Sequence, residues 1–345
     1  MAAGGLILAA CASTEKLAAE YPGPRPFPAA SLQAHCHEPR RWTDEYELLS
    51  ETDDYRVHQV TMRVEGGHAD ADAGDEVPIT FEFYEQKSPG PVPVAVLLPI
   101  LNGQKDVMRP FAKHFAANGY GVVIVDTTQR KTLLEDIVDP EPAIRLTIDR
   151  HRRVLDWVEA RADLDSSRVG VFGASLGGFN ALFLTAFDSR VSVLSVALVG
   201  GSVADVMVRS DEGRIVRSVA GARERLGMTN AELRDYLAEK IETDTLSVAP
   251  YLDAGRVLLV LARFDDAVPY ELQRDLREAM GRPKSITVPT GHATAALYLF
   301  YLRARVLEFF DATLSRPGIP VSTAPLPDVC REGWQALHPE HATGD

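Results

Sequence analysis

The sequence predicts a doubly wound α/β fold on a mostly parallel sheet, and three observations carry that reading. Short unbroken apolar runs recur at residues 94–98, 122–125, 169–172, 191–199, 257–261 and 286–288. Strands apolar on both faces belong to a parallel sheet covered by helices. Helical periodicity lies between the runs. Met108, Phe111, Ala112 and Phe115 form one stripe closed by Gly119, and Ile144, Ile148, His151, Val154, Leu155 and Val158 form another. The third observation is bulk: 345 residues, 46% hydrophobic and 25% charged, supply a sizeable core without a metal or disulfide scaffold.

Ahead of the parallel runs, Val60, Met62 and Val64 alternate with a period of two, as do Ile79, Phe81 and Phe83. With the Gly/Asp/Ala-rich loop 66–75 between them they predict an antiparallel hairpin leading into the sheet. The stretch between residues 199 and 257 exceeds a simple crossover. Within it, Thr229-Asn-Ala-Glu232 is a capping box opening onto Leu233, Tyr236 and Leu237. Residues 202–255 are therefore expected as a helical cap at the carboxyl end of a strand, either a lid over a site or a plain helical excursion.

The remaining segments are expected as follows. Residues 1–11 form a lipoprotein-type signal, 12–50 a tether and N-terminal extension, 51–315 the folded domain, and 316–345 a tail. The signal rests on the apolar run Leu6-Ile7-Leu8-Ala9-Ala10-Cys11, which resembles a bacterial lipobox with Cys11 as the lipidated residue. Ten residues precede Cys11 and none is Lys or Arg, so a chance cysteine is the competing reading. The proline-rich segment from Tyr21 to Pro28 suits extended spacing from a membrane. Cys36 and Cys330 would then remain as an even pair, bonded in an oxidising periplasm or free as two thiols. The expected location is the cell envelope or the exterior, with the cytoplasm as the alternative. No other stretch approaches the ~18 apolar residues of a membrane span. A formal charge of −13 argues against a nucleic-acid partner.

The chemistry centres on Gly173-Ala174-Ser175-Leu176-Gly177, which follows an apolar strand and precedes a helical stretch. A serine on such a sharp turn is lifted out of the sheet, and the two glycines leave room where a Cβ would clash. The turn also aims the Leu176 backbone N–H at a reacting carbonyl. A serine needs a base, and the base an orienting acid, in the chain order Ser, Asp, His. Asp265 and Asp266 leave the 257–261 run together; Asp265, three residues before Val268-Pro269, is favoured as the acid. His292 follows the 286–288 run in a Gly-His turn and is the expected base. The second oxyanion donor is expected from the loop after the first parallel strand, at the backbone N–H of Ile100 or Leu101. Asn102, beside Gly103, suits a turn.

Residues 155–178, with Asp265-x-x-Val-Pro269 and Gly291-His292, resemble the α/β-hydrolases. The resemblance covers about residues 92–310 and is nearest to the dienelactone-hydrolase-like and acetyl-xylan-esterase-like branch. Dienelactone hydrolases proper use cysteine; Ser175 here points to esters. The oxyanion loop also lacks the His-Gly pair. The resemblance implies acyl transfer from a small or polymeric ester, needing neither metal nor organic cofactor. A serine peptidase, an acyltransferase, or a non-catalytic envelope lipoprotein using the fold as a scaffold are the alternatives.

Overall fold

A computed structural model describes residues 11–28, 37, 40–65, 77–100, 105–126 and 137–324. Its strands are β1 (Ser13–Glu15), β2 (Trp42–Glu51), β3 (Tyr55–Val64), β4 (Ile79–Gln86) and β5 (Val92–Leu98), followed by β6 (Gly121–Val125), β7 (Leu164–Ala174), β8 (Val191–Ala197), β9 (Val257–Ala262) and β10 (Lys284–Val288). All ten join one sheet in the order β1-β10-β9-β8-β7-β5-β6-β4-β3-β2. The six apolar runs become the parallel block from β10 to β6. The expected hairpin is β3–β4, with Met62 opposite Ile79, and β4 joins the block antiparallel to β6.

Alternation along β5 separates two cores. Val94, Val96 and Leu98 enter one apolar cluster, with residues of the helices Glu141–Glu159 and Leu176–Phe187. Ala95 and Leu97 enter the other, with residues of Lys105–Ala116 and Leu299–Leu314. Successive side chains of a strand point to opposite faces, so a helical layer covers each side. Among the described residues, no helix is long and apolar enough to cross a membrane. Residues 202–255 contain the helices Val203–Arg209, Gly213–Leu226, Asn230–Lys240 and Thr245–Val248. The capping box is formed: the Glu232 N–H donates to Thr229 Oγ1 at 3.3 Å, and the Thr229 N–H to the Glu232 carboxylate at 2.8 Å.

The N-terminal segment departs from the expected tether. Ser13 pairs with Thr287, making β1 an antiparallel edge strand beside β10. The Tyr21 hydroxyl donates to the Leu252 carbonyl at 3.2 Å and accepts from the Ala254 N–H at 3.0 Å. The Phe27 ring meets Phe187 edge-on at 5.5 Å. Prolines bar this segment from a long ladder, but its aromatic side chains hold it to the body as a strap. β2 was hidden within the same extension. It is an outer strand paired along β3, almost wholly exposed, so it lacks a period-two apolar signal. Its acidic side chains suit an edge that must not recruit further strands. The first residues of the expected tail are also tied down: Val321 is buried, and Ser322 bridges to Leu252. Cys11 is exposed and unbonded; Cys36 and Cys330 lie outside the described residues.

Candidate active site

All parallel strands end on one edge of the sheet, and that edge collects the candidate side chains. Ser175 follows β7, Asp265 lies just beyond β9, and His292 just beyond β10. Ser175 sits at φ 53° and ψ −126°, a conformation that strains any non-glycine residue. The surroundings enforce it. A Cβ on Gly173 would fall 2.1 Å from the Gly177 carbonyl oxygen, and one on Gly177 would fall 2.1 Å from that of Leu98. The Ser175 N–H donates to the Ala197 carbonyl at 2.8 Å, pinning the turn to β8. Helix Leu176–Phe187 begins at once, so the Leu176 N–H is among the donors without an intrahelical partner.

The three side chains form one hydrogen-bonded line. His292 Nε2 lies 2.9 Å from Ser175 Oγ, and His292 Nδ1 lies 2.8 Å from Asp265 Oδ2 and 3.1 Å from Oδ1. Asp265 is buried, and its Oδ1 accepts the N–H groups of Ala267 at 3.0 Å and Val268 at 2.9 Å. Asp266 is exposed to solvent, and its backbone carbonyl accepts the Asp211 N–H. The neighbouring aspartates are thus separated by geometry: only Asp265 reaches His292. Two other histidines among the described residues lie elsewhere in the fold. His37 lies between Asp149 and Asp156 at 2.9 and 2.7 Å, and His151 is buried within helix Glu141–Glu159.

Gln273 belongs to the site and escaped the sequence reading. It is buried, and its amide donates to Asp265 Oδ2 at 3.0 Å and to the Val268 carbonyl at 2.7 Å, while its oxygen accepts the Ala262 N–H at 3.0 Å. One signal was available. Gln273 sits between Leu272 and Leu276 on the buried face of helix Tyr270–Ala279, where a polar residue needs a partner.

Over Ser175 and His292 lies a cavity of about 420 Å³. Ile100, one of the two expected oxyanion donors, contributes to the wall of the same cavity. Leu101 and Asn102 lie outside the described residues.

Comparison with solved structures agrees with this architecture. An acetyl xylan esterase from Paenibacillus sp. R4 superposes with a TM-score of 0.59 at 16% identity, covering 83% of this chain and 100% of that one. Acetyl xylan esterase 1 from Thermoanaerobacterium sp. JW/SL YS485 gives 0.55 at 15% identity, covering 80% and 100%. The fold is that of the α/β-hydrolases. Residues 173–177 form a strand-to-helix elbow after β7, and the antiparallel β2–β4 precede the parallel core. No family model matches the sequence. Two Mycobacterium tuberculosis proteins carrying a provisional phosphoribosyl transferase name are 30% identical over 172 residues, 45% of this chain. The chain matches only 38% of their length.

Proposed function

We propose that this α/β-hydrolase chain is a serine esterase, cleaving carboxylic esters through an acyl-enzyme on Ser175. The observation that carries the reading is the unbroken line from Asp265 through His292 to Ser175, with contacts of 2.8 and 2.9 Å. A carboxylate beside Nδ1 holds the imidazole proton there, leaving Nε2 free to accept the Ser175 hydroxyl proton. As that proton moves, Ser175 Oγ bonds to the ester carbonyl carbon, and the carbonyl oxygen takes the negative charge. The Leu176 N–H, with that of Ile100 as second donor, stabilises the oxyanion. The bond from carbon to the alcohol oxygen then breaks, and His292 passes its proton to the departing alcohol. Water repeats the sequence on the acyl-enzyme, giving the free acid and restoring Ser175.

The esterase names of the structural neighbours support the same chemistry. The phosphoribosyl transferase name belongs to proteins matched over a minor part of their length, and a Ser-His-Asp line is not what that transfer calls for.

The deciding experiment is hydrolysis of p-nitrophenyl esters by wild type and Ser175→Ala. Turnover by wild type, with loss of at least about 10³-fold in the variant, is the expected result. Undiminished turnover in Ser175→Ala would place the nucleophile elsewhere.

A further inference from the structure

The cavity wall departs from what a carbohydrate ester would need. Beyond Ser175 and His292, Glu212 is the one polar side chain among the described residues that line it. Glu212 is already engaged: its Oε2 accepts the N–H groups of Arg214 and Ile215 at 2.9 and 3.0 Å, capping helix Gly213–Leu226. The rest of the described lining is apolar, and it comes from both sides of the sheet. Val107, Phe111 and Leu302 belong with the core under helices Lys105–Ala116 and Leu299–Leu314. Phe183, Val206 and Ile215 belong with the opposite core and the inserted helices. The cavity therefore passes over the carboxyl edge of the sheet, with Ser175 at the crest and an apolar arm on either side.

From this geometry we propose that the substrate is an ester apolar on both sides of its carbonyl, with a medium-length acyl chain in one arm and an apolar alcohol in the other. The inference rests on the serine esterase reading above. A sugar ring placed in either arm would lose water from its hydroxyls and find almost no partners among the described lining residues, a cost that selects against polyol esters. Each methylene buried instead adds about fourfold to affinity. The volume is within the roughly 300–1,000 Å³ typical of small-molecule sites.

The test has a turnover arm and a binding arm. With wild type, kcat/KM should rise by about fourfold per methylene from p-nitrophenyl acetate toward the hexanoate, then level off as the arm fills. Val107→Trp and Ile215→Trp alter half-buried wall positions on opposite sides. One should shorten the optimum acyl chain, and the other should shorten the optimum alcohol in a series of alkyl hexanoates. For binding, Ser175→Ala is titrated calorimetrically with butyl hexanoate, ethyl acetate and an acetylated xylo-oligosaccharide. Butyl hexanoate should bind at least about tenfold more tightly than either of the others. A flat or falling acyl series, tighter binding of the oligosaccharide, or two tryptophan variants that leave both optima unmoved would overturn the proposal. The binding arm needs no turnover. A wild type that hydrolyses no ester, yet whose Ser175→Ala variant prefers butyl hexanoate, would count against the esterase reading while the apolar-ligand inference stood.

Discussion

Gln273 donates its side-chain amide to Asp265 Oδ2 at 3.0 Å, on the carboxylate oxygen that also lies 2.8 Å from His292 Nδ1. The same amide reaches the Val268 carbonyl, so Gln273 ties the loop carrying Asp265 to helix Tyr270–Ala279. Asp265 is therefore oriented from two directions, by loop N–H groups on Oδ1 and by a helical side chain on Oδ2. A carboxylate so held keeps one rotamer, which is what an imidazole needs from its orienting partner.

Gln273→Leu keeps the volume and removes the donor. The lost charge-assisted hydrogen bond corresponds to about 1.5–3 kcal/mol, so kcat should fall by roughly 10- to 100-fold. KM should hold, because Gln273 is not in the cavity wall. Steady-state kinetics on a short-chain p-nitrophenyl ester separate the two parameters. A raised KM with unchanged kcat would remove Gln273 from the site.

Asp265→Asn and Asp266→Asn test the assignment of the acid. An amide at position 265 can present its donor to Nδ1 and favour the wrong imidazole tautomer, with a loss of about 10⁴-fold in kcat. The same change at exposed Asp266 should leave kcat unaltered. Equal losses in the two variants would contradict the geometric separation of the pair.

The parts legible in the sequence were those with a local physical signature. Strands buried on both faces produce continuous apolar runs, so β5 to β10 could be read directly. The elbow needs glycine at 173 and 177 because backbone oxygens occupy the space of their Cβ atoms. What stayed hidden depends on partners distant along the chain. β2 is held by pairing with β3 while its side chains face solvent, and β1 is three residues fixed by β10. Gln273 looked like one polar residue of an amphipathic helix, since its three partners come from β9 and the loop after it. The two-sided cavity was equally unreadable, because its walls come from helices separated by most of the chain.

Gly177→Ala should abolish the elbow. The added methyl would meet the carbonyl oxygens of Leu98 and Pro99 at 2.1 and 2.4 Å, and backbone cannot yield as a flexible side chain does. A loss of about 3 kcal/mol or more is expected, read as a lower urea midpoint together with lost turnover. Gly221→Ala is the control. Its Cβ meets nothing within 4 Å in mid-helix, so stability should hold or rise by about 0.5–1 kcal/mol. Equal midpoints for the two variants would show that the elbow tolerates a side chain.

Cys11 is proposed as a lipid attachment point, and β1 gives that reading a geometric consequence. Ser13 pairs antiparallel with Thr287, so the chain reaches Cys11 on the edge of the sheet where β10 leads to His292. A lipid there would hold the edge that carries Ser175 and His292 close to a bilayer, with little free chain between. Expressed from its own coding region, wild type should fractionate with membranes and Cys11→Ser with the soluble material, with equal turnover after detergent extraction. Wild type and variant found in the same fraction would withdraw the attachment and leave the esterase chemistry untouched.

Acid sensitivity should trace to His151, buried in helix Glu141–Glu159, which carries none of Ser175, Asp265 and His292. Burial, reinforced by the adjacent Arg150 charge, drives its folded-state pKa from the ordinary 6.5 down to about 3. Among the described residues its Nδ1 has no hydrogen-bond partner, so nothing there rewards a proton. Below pH 6.5 the unfolded chain takes up a proton at this position that the folded chain refuses. The contribution to stability is therefore complete above that value and is lost as pH falls toward about 3, at up to about 1.4 kcal/mol per pH unit. Replacing the imidazole by a non-titrating side chain, His151→Leu, removes this proton uptake from both states. Urea unfolding between about pH 7 and pH 4.5 should then give a shallower fall in stability for the variant than for wild type. Parallel slopes would mean that His151 already titrates in the folded protein, and that the helix opens enough to admit the charge.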